Sequence, residues 1–359
     1  MITLDELLKK AVAKKASDIF FVVGQPICFK ISGQIVRDDD ASSYADARGL
    51  TVETTQEWIR QLYNAAKREM TKFTEDNDDD FAVSIPGAGR FRVNIFRQRG
   101  TVCAVLRSVP FGLPPFEQMN IPESILEAAK LKKGLVLVTG TAGSGKSTTL
   151  AYIINQINQT RDCHVLTLED PIEYLHRHNK SIISQREIAI DTESYATALR
   201  AALREAPDVI LIGEMRDLET IEAAMTAAET GHLVLSTLHT LGAANTVDRI
   251  IDIFPASQQQ QIRVQLSMVL RTIVSQQLLQ KSGGGVVPAF EIMHANSAIR
   301  TMIREGKVHQ IDSVIYSSGR EGMRAMDSSI FELYKKGLIE EETALTYCSN
   351  PDAMKRNIQ

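Results

Sequence analysis

The sequence is poor in cysteine, and its few cysteines are scattered. Cys28, Cys103, Cys163 and Cys348 form no Cys-x-x-Cys pair. This spacing excludes a four-cysteine zinc site of the ordinary kind and gives no sign of a disulfide framework. We therefore expect reduced thiols in a cytosolic protein, and no bound zinc.

Long apolar runs are also missing. A helix needs about 20 apolar residues to span a bilayer, whereas the longest runs here, such as Leu135–Val138 and Val209–Ile212, have only the length of a strand. The N-terminal residues are charged from Asp5 onward and lack the apolar core of a secretory signal. We predict a cytoplasmic protein with no direct membrane insertion, whose membrane association goes through a partner.

Basic and aromatic residues are too few to indicate a nucleic-acid partner. The net charge is −4, and aromatic residues make up 6% of the chain. Nucleic-acid-binding proteins use clustered Lys and Arg against phosphates and aromatic side chains against bases. The composition is otherwise ordinary for a globular protein, and the length of 359 residues favours two or three domains.

The first part of the chain has the pattern of a small α/β domain. Leu4, Leu7 and Leu8 begin an amphipathic helix, and a second helical pattern covers about Thr55–Phe73. The β-type runs of this part are Ile19–Val23, Cys28–Ile31, Phe81–Ile85, Phe91–Phe96 and Val102–Val109.

Two acidic runs interrupt this pattern, at Asp38–Asp40 and Glu75–Asp80. The second lacks both the turn-forming glycine and the closing glutamate of a calcium-binding loop, because Phe81 and Gly87 stand at those positions. We expect both runs to be solvated loops.

A proline-rich segment, Pro110–Pro115, marks a domain boundary, because it can continue neither a helix nor a sheet. We predict an N-terminal domain over residues 1–109, a linker over 110–118, and a second domain with C-terminal helices over 119–359. The second domain alternates strands and helices, which is typical of a parallel sheet covered by helices.

A phosphate-binding pattern follows the first strand of the second domain. Leu135–Val138 runs into Gly140-x4-Gly145–Lys146–Ser147, and a helical pattern begins at Ser147. This order forms a P-loop, in which backbone N–H groups and a helix N-terminus hold phosphates. We expect Lys146 to reach the β- and γ-phosphates and the Ser147 hydroxyl to bind Mg²⁺. The candidate nucleotide-binding residues are Gly140, Ala142, Gly143, Ser144, Gly145, Lys146, Ser147 and Thr148.

Acidic residues and a histidine follow the ends of further predicted strands. Ligands of open α/β sheets bind at the carboxyl ends of the strands. After the strands that begin at His164, Val209 and His232, the sequence places Glu169, Asp170, Glu173, Glu214 and His239.

ATP hydrolysis needs one carboxylate near Mg²⁺ and another that orients the attacking water. Glu214 suits the metal side, whereas Asp208 lies at the wrong end of the same strand. Glu169, Asp170 and Glu173 all remain candidates for the water.

Beyond the phosphate loop, four segments resemble the secretion-ATPase superfamily, and in particular the PilT family of type IV pilus retraction motors. They are Thr167–Glu173, Asp208–Asp217, Ala228–His232 and Ser236–Thr240. The resemblance extends over nearly the whole chain. It implies an α/β protein in which a RecA-like P-loop ATPase domain is joined to a smaller PAS-like α/β N-terminal domain.

The resemblance also implies roles for individual residues. Glu173 is the expected water-activating carboxylate and Glu214 the expected Walker B acid, while His232 and His239 are expected to sense nucleotide or subunit contacts. ATP and Mg²⁺ are the implied ligands. The implied partners are further copies of the chain, in a homo-hexamer, and a pilus platform protein at the inner membrane.

N-terminal arginines that approach the phosphates are a further implication of the resemblance. Alternation along the strand places the apolar residues from Phe91 to Ile95 on one face and Arg90 and Arg92 on the other. Alternation alone favours a solvated face. The family resemblance favours a functional group of arginines without identifying the acting one: Arg90, Arg92, Arg99 and Arg107.

Residues 298–305 resemble a signature that distinguishes retraction motors from extension motors. The positions that carry the resemblance are Ala298, Ile299, Arg300, Arg304 and Glu305, while Thr301 and Met302 depart from it.

The same segment reads as a short helix, with Ser297 as its N-cap and Gly306 as its terminator. Arg300 and Arg304 lie on one side of this helix. The apolar side is predicted to consist of Ile299, Met302 and Ile303.

These observations predict a hexameric ATPase that powers type IV pilus retraction. The alternative within the class is a pilus-extension or type II secretion ATPase. Those relatives usually carry a paired-cysteine zinc insertion and an extra N-terminal domain, and this sequence shows neither. A RecA-like nucleic-acid motor is the alternative from another class, and it would need a basic stripe or stacking aromatic residues near the pore of the ring.

Overall fold

A computed structural model describes residues 3–31, 33–38, 49–109 and 112–359 (for residue 118, the backbone alone). Parts of the predicted acidic run Asp38–Asp40 and of the predicted linker Pro110–Pro115 lie outside these residues. The chain divides into two compact units. The first comprises Met1–Gly112 and Glu173–Leu175, and the second comprises Leu113–Ile172 and His176–Gln359. Within the described ranges, no helix combines the length and the apolar character that crossing a bilayer requires.

The first unit contains an antiparallel sheet and short helices. Its strands are β1 (Asp18–Phe21), β2 (Cys28–Ile31), β3 (Gln34–Arg37), β4 (Asp78–Ile85), β5 (Gly89–Gln98) and β6 (Thr101–Val109). Its helices are α1 (Leu4–Ala13), α2 (Val52–Ala65) and α3 (Thr71–Asp76). The strands lie in the order β3-β2-β1-β6-β5-β4.

One apolar core holds the first unit together. Alternate residues of β5, namely Phe91, Val93 and Ile95, are fully buried, and they join Leu7 of α1 and Leu62 of α2 in this core. Burial of each such side chain stabilises the fold by about 1.5–3 kcal/mol. The predicted opening helix is confirmed, and so is the apolar face of β5.

The predicted helix over Thr55–Phe73 is wrong in its middle. The structure has two helices there, because the first ends at Ala65 and Lys67 adopts a left-handed conformation with φ of 51°. A continuous helix cannot pass through a residue in that conformation.

The second acidic run is not a solvated loop. Asp78 begins β4, and Asp79 is buried. The Asp79 carboxylate accepts hydrogen bonds from Arg68 Nη2 at 2.8 Å, from Arg68 Nε at 3.0 Å and from the Tyr63 hydroxyl at 3.0 Å. These partners sit elsewhere in the chain, so a local reading of the charge run could not reveal them.

The second unit contains a larger, mainly parallel sheet. Its strands are β7 (Gly134–Thr139), β8 (His164–Glu169), β9 (Ile182–Glu187), β10 (Val209–Ile212), β11 (Leu233–Leu238), β12 (Leu270–Gln280) and β13 (Val286–His294). Their order is β13-β12-β7-β11-β10-β8-β9, and all are parallel except β13, which pairs with β12 in the antiparallel sense.

Helices cover both faces of this sheet. They are α4 (Glu123–Leu126), α5 (Lys146–Thr160), α6 (Tyr195–Ala202), α7 (Leu218–Glu229), α8 (Ala243–Asp252), α9 (Ala256–Val269), α10 (Ser297–Glu305), α11 (Ile311–Ser317), α12 (Met326–Lys335), α13 (Glu341–Tyr347) and α14 (Pro351–Ile358). One core lies between the sheet and α5, and another lies between the sheet and α6 to α10. Every residue of β7, β10 and β11 is buried, which explains their continuous apolar runs.

The parallel arrangement brings the carboxyl ends of several strands to one edge. Thr139 ends β7, Glu169 ends β8, Ile212 ends β10 and Leu238 ends β11. These four strands are neighbours in the sheet. The segments that follow them therefore meet at this carboxyl edge, as the sequence analysis predicted.

Candidate nucleotide-binding site

The loop between β7 and α5 is shaped by glycines. Gly140, Gly143 and Gly145 have φ values of 146°, 76° and 90°. A Cβ atom on Gly140 would lie 2.3 Å from the main-chain oxygen of Gln276 and 2.6 Å from Ser144 Oγ. Because the loop passes so close to these neighbours, only glycine fits at this position.

Lys146, the first residue of α5, turns back onto the loop. Its side chain is buried, and Nζ donates hydrogen bonds to the main-chain oxygens of Gly140 and Thr141, both at 2.9 Å. Burial lowers the pKa of Lys146, and the carboxylate of Glu214 partly opposes this shift. The ammonium group is therefore held in the loop by weak neutral acceptors, which a phosphate oxygen would replace favourably.

Two hydroxyl groups beside the loop lack partners. Thr139 Oγ1 and Ser144 Oγ are buried and make no hydrogen bond within the described residues. A buried hydroxyl without a partner costs about 1–3 kcal/mol. The rim of the loop is open to a ligand, because its residues are exposed. These residues are Thr141, Ala142, Gly143 and Ser147. Spare polar groups and an open rim fit a bound phosphate.

Glu214 and His239, both predicted as site residues, lie together at the carboxyl edge. Glu214 Oε2 is 3.2 Å from His239 Nε2 and 2.7 Å from Arg216 Nε. The Glu214 side chain is only 14% exposed. Sequence reasoning missed Arg216, although a basic residue this close to a strand-end acid was the available signal.

The two strand ends that carry Glu214 and His239 are tied together. Thr237 donates its hydroxyl to the main-chain oxygen of Gly213 at 2.7 Å, and Met215 N donates to the main-chain oxygen of Thr237 at 3.1 Å. These bonds fix the acid and the imidazole relative to each other.

The acids after β8 lie in different surroundings. Glu169 Oε1 accepts a hydrogen bond from the Thr167 hydroxyl at 2.6 Å and another from Gln185 Nε2 at 3.3 Å. Asp170 and Glu173 are exposed, and Glu173 falls in the first compact unit. Thus Glu169 has partners inside the second unit, whereas the structure leaves the water-activating role of Glu173 as a prediction.

Tyr195, at the start of α6, is another residue that sequence reasoning missed. Its hydroxyl lies 2.7 Å from the position that a Cβ on Gly213 would take. Burial raises the pKa of Tyr195, and the nearby carboxylates of Asp170, Glu214 and Glu169 raise it further. This phenol therefore stays protonated beside the acids of the carboxyl edge.

His232 does not lie with these residues. It precedes β11 at the opposite, amino edge, where Gly134 N donates to its main-chain oxygen at 2.9 Å. Its Nδ1 is 3.0 Å from the main-chain oxygen of Ala227. The structure thus places His232 away from Glu214 and His239, because the two ends of a strand lie at opposite edges. A role in subunit contacts stays a prediction.

Asp208 also lies at the amino edge, as expected. One oxygen of its carboxylate accepts a hydrogen bond from His164 N, at the start of β8, at 2.8 Å. The Asp208 side chain thus links the starts of β8 and β10, and it is separated from the phosphate loop by the length of β10.

The four candidate arginines belong to β5, β6 and the turn between them. Arg92 pairs directly with Arg107 across these strands. Arg107 Nε donates to Asp18 Oδ1 at 2.9 Å, and Arg90 Nη1 donates to the Ser84 hydroxyl at 3.3 Å. Arg99 is exposed in the turn with a φ of 50°. Arg90, Arg92 and Arg107 thus share the face of the sheet opposite the apolar core.

The helix over residues 298–305 forms as predicted, with one correction. Its N-cap is Asn296, whose side chain accepts from Ile299 N at 3.1 Å, and Ser297 is the first helical residue. Gly306 ends the helix in a left-handed conformation, and Ile299 and Ile303 are buried. The amide of Asn296 was an equally good capping signal one residue earlier.

Arg300 and Arg304 of this helix differ in their contacts. Arg300 donates to the main-chain oxygens of Ser267, Met268 and Leu270, at the end of α9, at 2.5, 3.0 and 3.0 Å. Arg304 is exposed, as are Ala298 and Glu305. Arg300 therefore caps α9, while Arg304, Ala298 and Glu305 face solvent.

The comparison with protein families defines the class. Residues 1–286 match the family model described as type II/IV secretion system protein. The phosphate loop, the paired Glu214 and His239, and this match agree with one another: the chain belongs to the type II/IV secretion system protein family.

Similar proteins place it more narrowly, among the PilT-type retraction ATPases. It is 42% identical to the type IV pilus retraction ATPase PilT of Pseudomonas aeruginosa over 349 residues, which cover 97% of this chain and 99% of that protein. It is 46% identical to a twitching motility protein of Neisseria gonorrhoeae over 306 residues, or 85% of this chain and 81% of that protein. The match to the type IV pilus assembly ATPase PilB of P. aeruginosa covers only 44% of this chain and 26% of that protein.

A solved structure gives the same result for the fold. The crystal structure of the pilus retraction motor PilT with bound ADP has a TM-score of 0.90 and 46% identity, and the match covers 99% of this chain and 100% of that chain. The predicted fold class, an α/β P-loop ATPase with a smaller N-terminal α/β domain, is confirmed. The prediction that the chain is an ATPase of the retraction family is also confirmed.

Proposed function

We propose that this chain is a Mg²⁺-dependent motor that hydrolyses ATP, assembles as a homo-hexamer and powers type IV pilus retraction. The observation that carries the proposal is the carboxyl edge of the parallel sheet. There the phosphate loop lies beside Glu214 and His239, and the buried hydroxyls of Thr139 and Ser144 have no partner among the described residues. Likeness to retraction ATPases along almost the whole chain supports the direction of the motor.

ATP hydrolysis at this edge begins with the phosphates on the loop. Lys146 Nζ exchanges the main-chain oxygens of Gly140 and Thr141 for phosphate oxygens, a short movement because the ammonium group already lies within the loop. Ser144 Oγ, which has no hydrogen-bond partner in the described part of the chain, gains one. The N-terminus of α5 adds its positive partial charge. Together these groups stabilise the charge that develops as the γ-phosphoryl group transfers.

Ser147 and Glu214 are the residues that would hold Mg²⁺. Ser147 is exposed in the first turn of α5, and Glu214 is held after the end of β10, next to His239. Both groups offer oxygen ligands, which suit this cation. Bound there, Mg²⁺ supplies charge neutralisation at the phosphates.

Glu173 is proposed as the carboxylate that orients the attacking water, with Glu169 as the competing candidate. The two acids are distinguished by their partners, since Glu169 already accepts from Thr167 and Gln185. Glu173→Gln should bind ATP but turn it over at least about 10²-fold more slowly. Rates like those of the unchanged protein in Glu173→Gln, with a loss in Glu169→Gln, would move the role to Glu169.

The remaining proposals concern partners. Positive charge from Arg90, Arg92, Arg99 or Arg107 completes the phosphate site of the assembled ring. The exposed residues of α10, Ala298, Arg304 and Glu305, take part in retraction together with Ile299 and Arg300, which hold the helix in place. The ring works at the inner face of the cell membrane through a platform protein and reaches the membrane only in that way.

ATP turnover by purified protein is the first test. The protein should release phosphate from ATP only when Mg²⁺ is present, and chelation of the metal should stop turnover. Lys146→Ala should lower kcat by about 10³-fold or more, whereas Lys132→Ala, at an exposed lysine outside the loop, should change nothing. Native mass spectrometry with ATP should show six copies. Retained turnover in Lys146→Ala, or a strict monomer, would overturn the corresponding part of the proposal.

The direction of force is tested in cells. Deletion of the gene should leave an excess of surface pili that no longer retract, together with a loss of twitching motility. Cells without pili would instead identify an extension ATPase. Tight, salt-sensitive binding of the purified protein to single-stranded DNA would favour a nucleic-acid motor.

A further inference from the structure

Gln276, in the middle of β12, is a buried polar residue that touches the phosphate loop. The residue is only 3% exposed. Its Oε1 accepts a hydrogen bond of 2.7 Å from the hydroxyl of Thr149, which is itself buried in the first turn of α5. A buried amide is costly unless its polar atoms are bonded, so this contact holds the start of α5 against β12.

The same residue supports both ends of the loop. At the beginning of the loop, a Cβ on Gly140 would lie 2.3 Å from the main-chain oxygen of Gln276. At its end, a Cβ on Gly145 would lie 2.8 Å from Gln276 Nε2. Both glycines therefore pack directly on one residue, with no room for a side chain between them. The loop cannot shift at either end without moving Gln276.

The preceding residue, Ser275, acts on the other face of the sheet. Its buried hydroxyl accepts a hydrogen bond from Gly242 N at 2.9 Å. Gly242 comes directly before α8, shortly after His239. Glu291, the partner of Ser275 in β13, accepts from Ala243 N at 2.7 Å. The segment that follows His239 is thus anchored to β12 and β13.

Neighbouring residues of a strand point to opposite faces of the sheet. The core between the sheet and α5 contains Val274, and the core on the α8 side contains Ile273. Gln276 follows the first of these faces and Ser275 the second. One dipeptide of β12 therefore joins the phosphate loop to the segment that carries His239.

We propose that Gln276 is a positioning residue that holds the phosphate loop in its nucleotide-binding shape, and that Ser275 connects this shape to the His239 segment. This inference rests on the proposed function, because it assumes that ATP and ADP bind at this loop. It assigns two separable effects. Loss of the Gln276 side chain weakens nucleotide binding, whereas loss of the Ser275 hydroxyl slows turnover with little change in binding.

The first test is the affinity for ADP, measured by calorimetry on the full chain. Gln276→Ala should raise the Kd about tenfold, since the hydrogen bond from Thr149 and the packing of Gly145 on the side-chain amide are lost. Gln277→Ala is the matched control, because the same residue type stands next in the strand and is partly exposed. Its Kd should stay within about twofold of the unchanged protein.

The second test separates the two residues. Ser275→Ala should bind ADP within about twofold of the unchanged protein and lower kcat by about threefold or more, whereas Gln276→Ala should act mainly on the KM for ATP. A merely structural role would lower the melting temperature without this split between KM and kcat. Equal losses of binding in both variants would overturn the assignment.

The controls distinguish a failure of the proposed function from a failure of the role assigned to Gln276. If the unchanged protein does not bind ADP, the proposed function fails. If it binds ADP and Gln276→Ala binds like Gln277→Ala, only the present inference fails. If Gln276→Ala does not fold, Thr149→Val decides, since it removes the donor to Gln276 with little change of shape. Thr149→Val should raise the Kd for ADP about threefold, and an unchanged Kd would reject the role of Gln276.

Discussion

The amino and carboxyl edges of the parallel sheet carry similar side chains but differ in how those side chains are partnered. At the amino edge, one oxygen of Asp208 accepts from His164 N, His164 Nε2 is 2.9 Å from the Ser184 hydroxyl, and His232 Nδ1 is 3.0 Å from the Ala227 oxygen. At the carboxyl edge, Ser144 Oγ and Thr139 Oγ1 are buried without partners in the described part of the chain.

This difference separates structural chemistry from binding chemistry. Polar groups that find partners within the fold stabilise it, and each hydrogen bond contributes about 0.5–1.5 kcal/mol. Buried polar groups without partners lower the free energy of unfolding, and a ligand that bonds to them can offset this loss. The carboxyl edge is therefore the ligand edge, although His232 and Asp208 offer the same functional groups as His239 and Glu214.

Among the substitutions that compare the two edges, those of the acids have the largest expected effect. Glu214→Gln should lower kcat by about 10²–10³-fold, because a neutral amide no longer stabilises the metal and the transferring phosphoryl group. Asp208→Asn should leave kcat within about twofold and act only on stability. Steady-state phosphate release measures both, and a large loss of turnover in Asp208→Asn would break the distinction between the edges.

A smaller effect is expected from two glycines of the phosphate loop. Gly140→Ala should weaken ADP binding by about 10–100-fold, since its Cβ would meet the Gln276 oxygen at 2.3 Å. Gly143→Ala also places a side chain at positive φ, yet no atom of the described residues lies within 4 Å of that Cβ. Its loss should be about tenfold or less, from backbone strain alone. Equal affinities of the two variants in calorimetry would show that contact with Gln276 is unimportant.

The two histidines provide a third pair. His239→Ala should lower kcat by about tenfold, because the imidazole is the neighbour of Glu214 at 3.2 Å. His232→Ala should leave the turnover of isolated, non-assembled protein unchanged. If His232→Ala lowers turnover only when the hexamer forms, as judged by native mass spectrometry beside the kinetics, the subunit-contact role is supported. A loss in the monomer would contradict its placement at the amino edge.

The smallest effect is expected from the two arginines of α10, Arg300 and Arg304. Arg300→Ala should lower the free energy of unfolding by about 1–3 kcal/mol, because three carbonyl groups at the end of α9 lose their donor. Arg304→Ala should change the free energy of unfolding by less than about 0.5 kcal/mol, since this side chain is exposed. Urea unfolding measures both. A destabilisation by Arg304→Ala equal to that of Arg300→Ala would remove the contrast between them.

Local sequence patterns were sufficient for much of the fold. The apolar runs of β7 and β10 and the alternation in β5 predict strands where strands lie. The exposed β3 went unnoticed, because a short strand without a buried residue leaves no periodic signal. The buried Asp79 was misread for the related reason that its partners, Arg68 and Tyr63, lie outside the acidic run and meet it only in the folded unit.

The candidate site divides in the same way. The phosphate loop, Glu214 and His239 were predictable because each follows an apolar strand, and the ends of parallel strands meet at one edge. Tyr195 and Gln276 were not predictable, because a tyrosine and a glutamine have no characteristic spacing, and the only signal for Arg216 was its closeness to Glu214 in the sequence. Their roles appear only when distances to Glu214, Gly213 and the loop glycines can be measured.

The sequence by itself determined that this chain has a P-loop ATPase domain, since glycines, lysine and serine at fixed spacing after a strand suit phosphate and little else. Tertiary structure decided which polar groups are hydrogen-bonded within the fold and which are available to bind the ligand. That division depends on the partners that each group meets, and those partners come from other strands and helices. Thus His239 lies beside Glu214, while His232, seven positions earlier, lies against the main-chain oxygen of Ala227 near the end of α7.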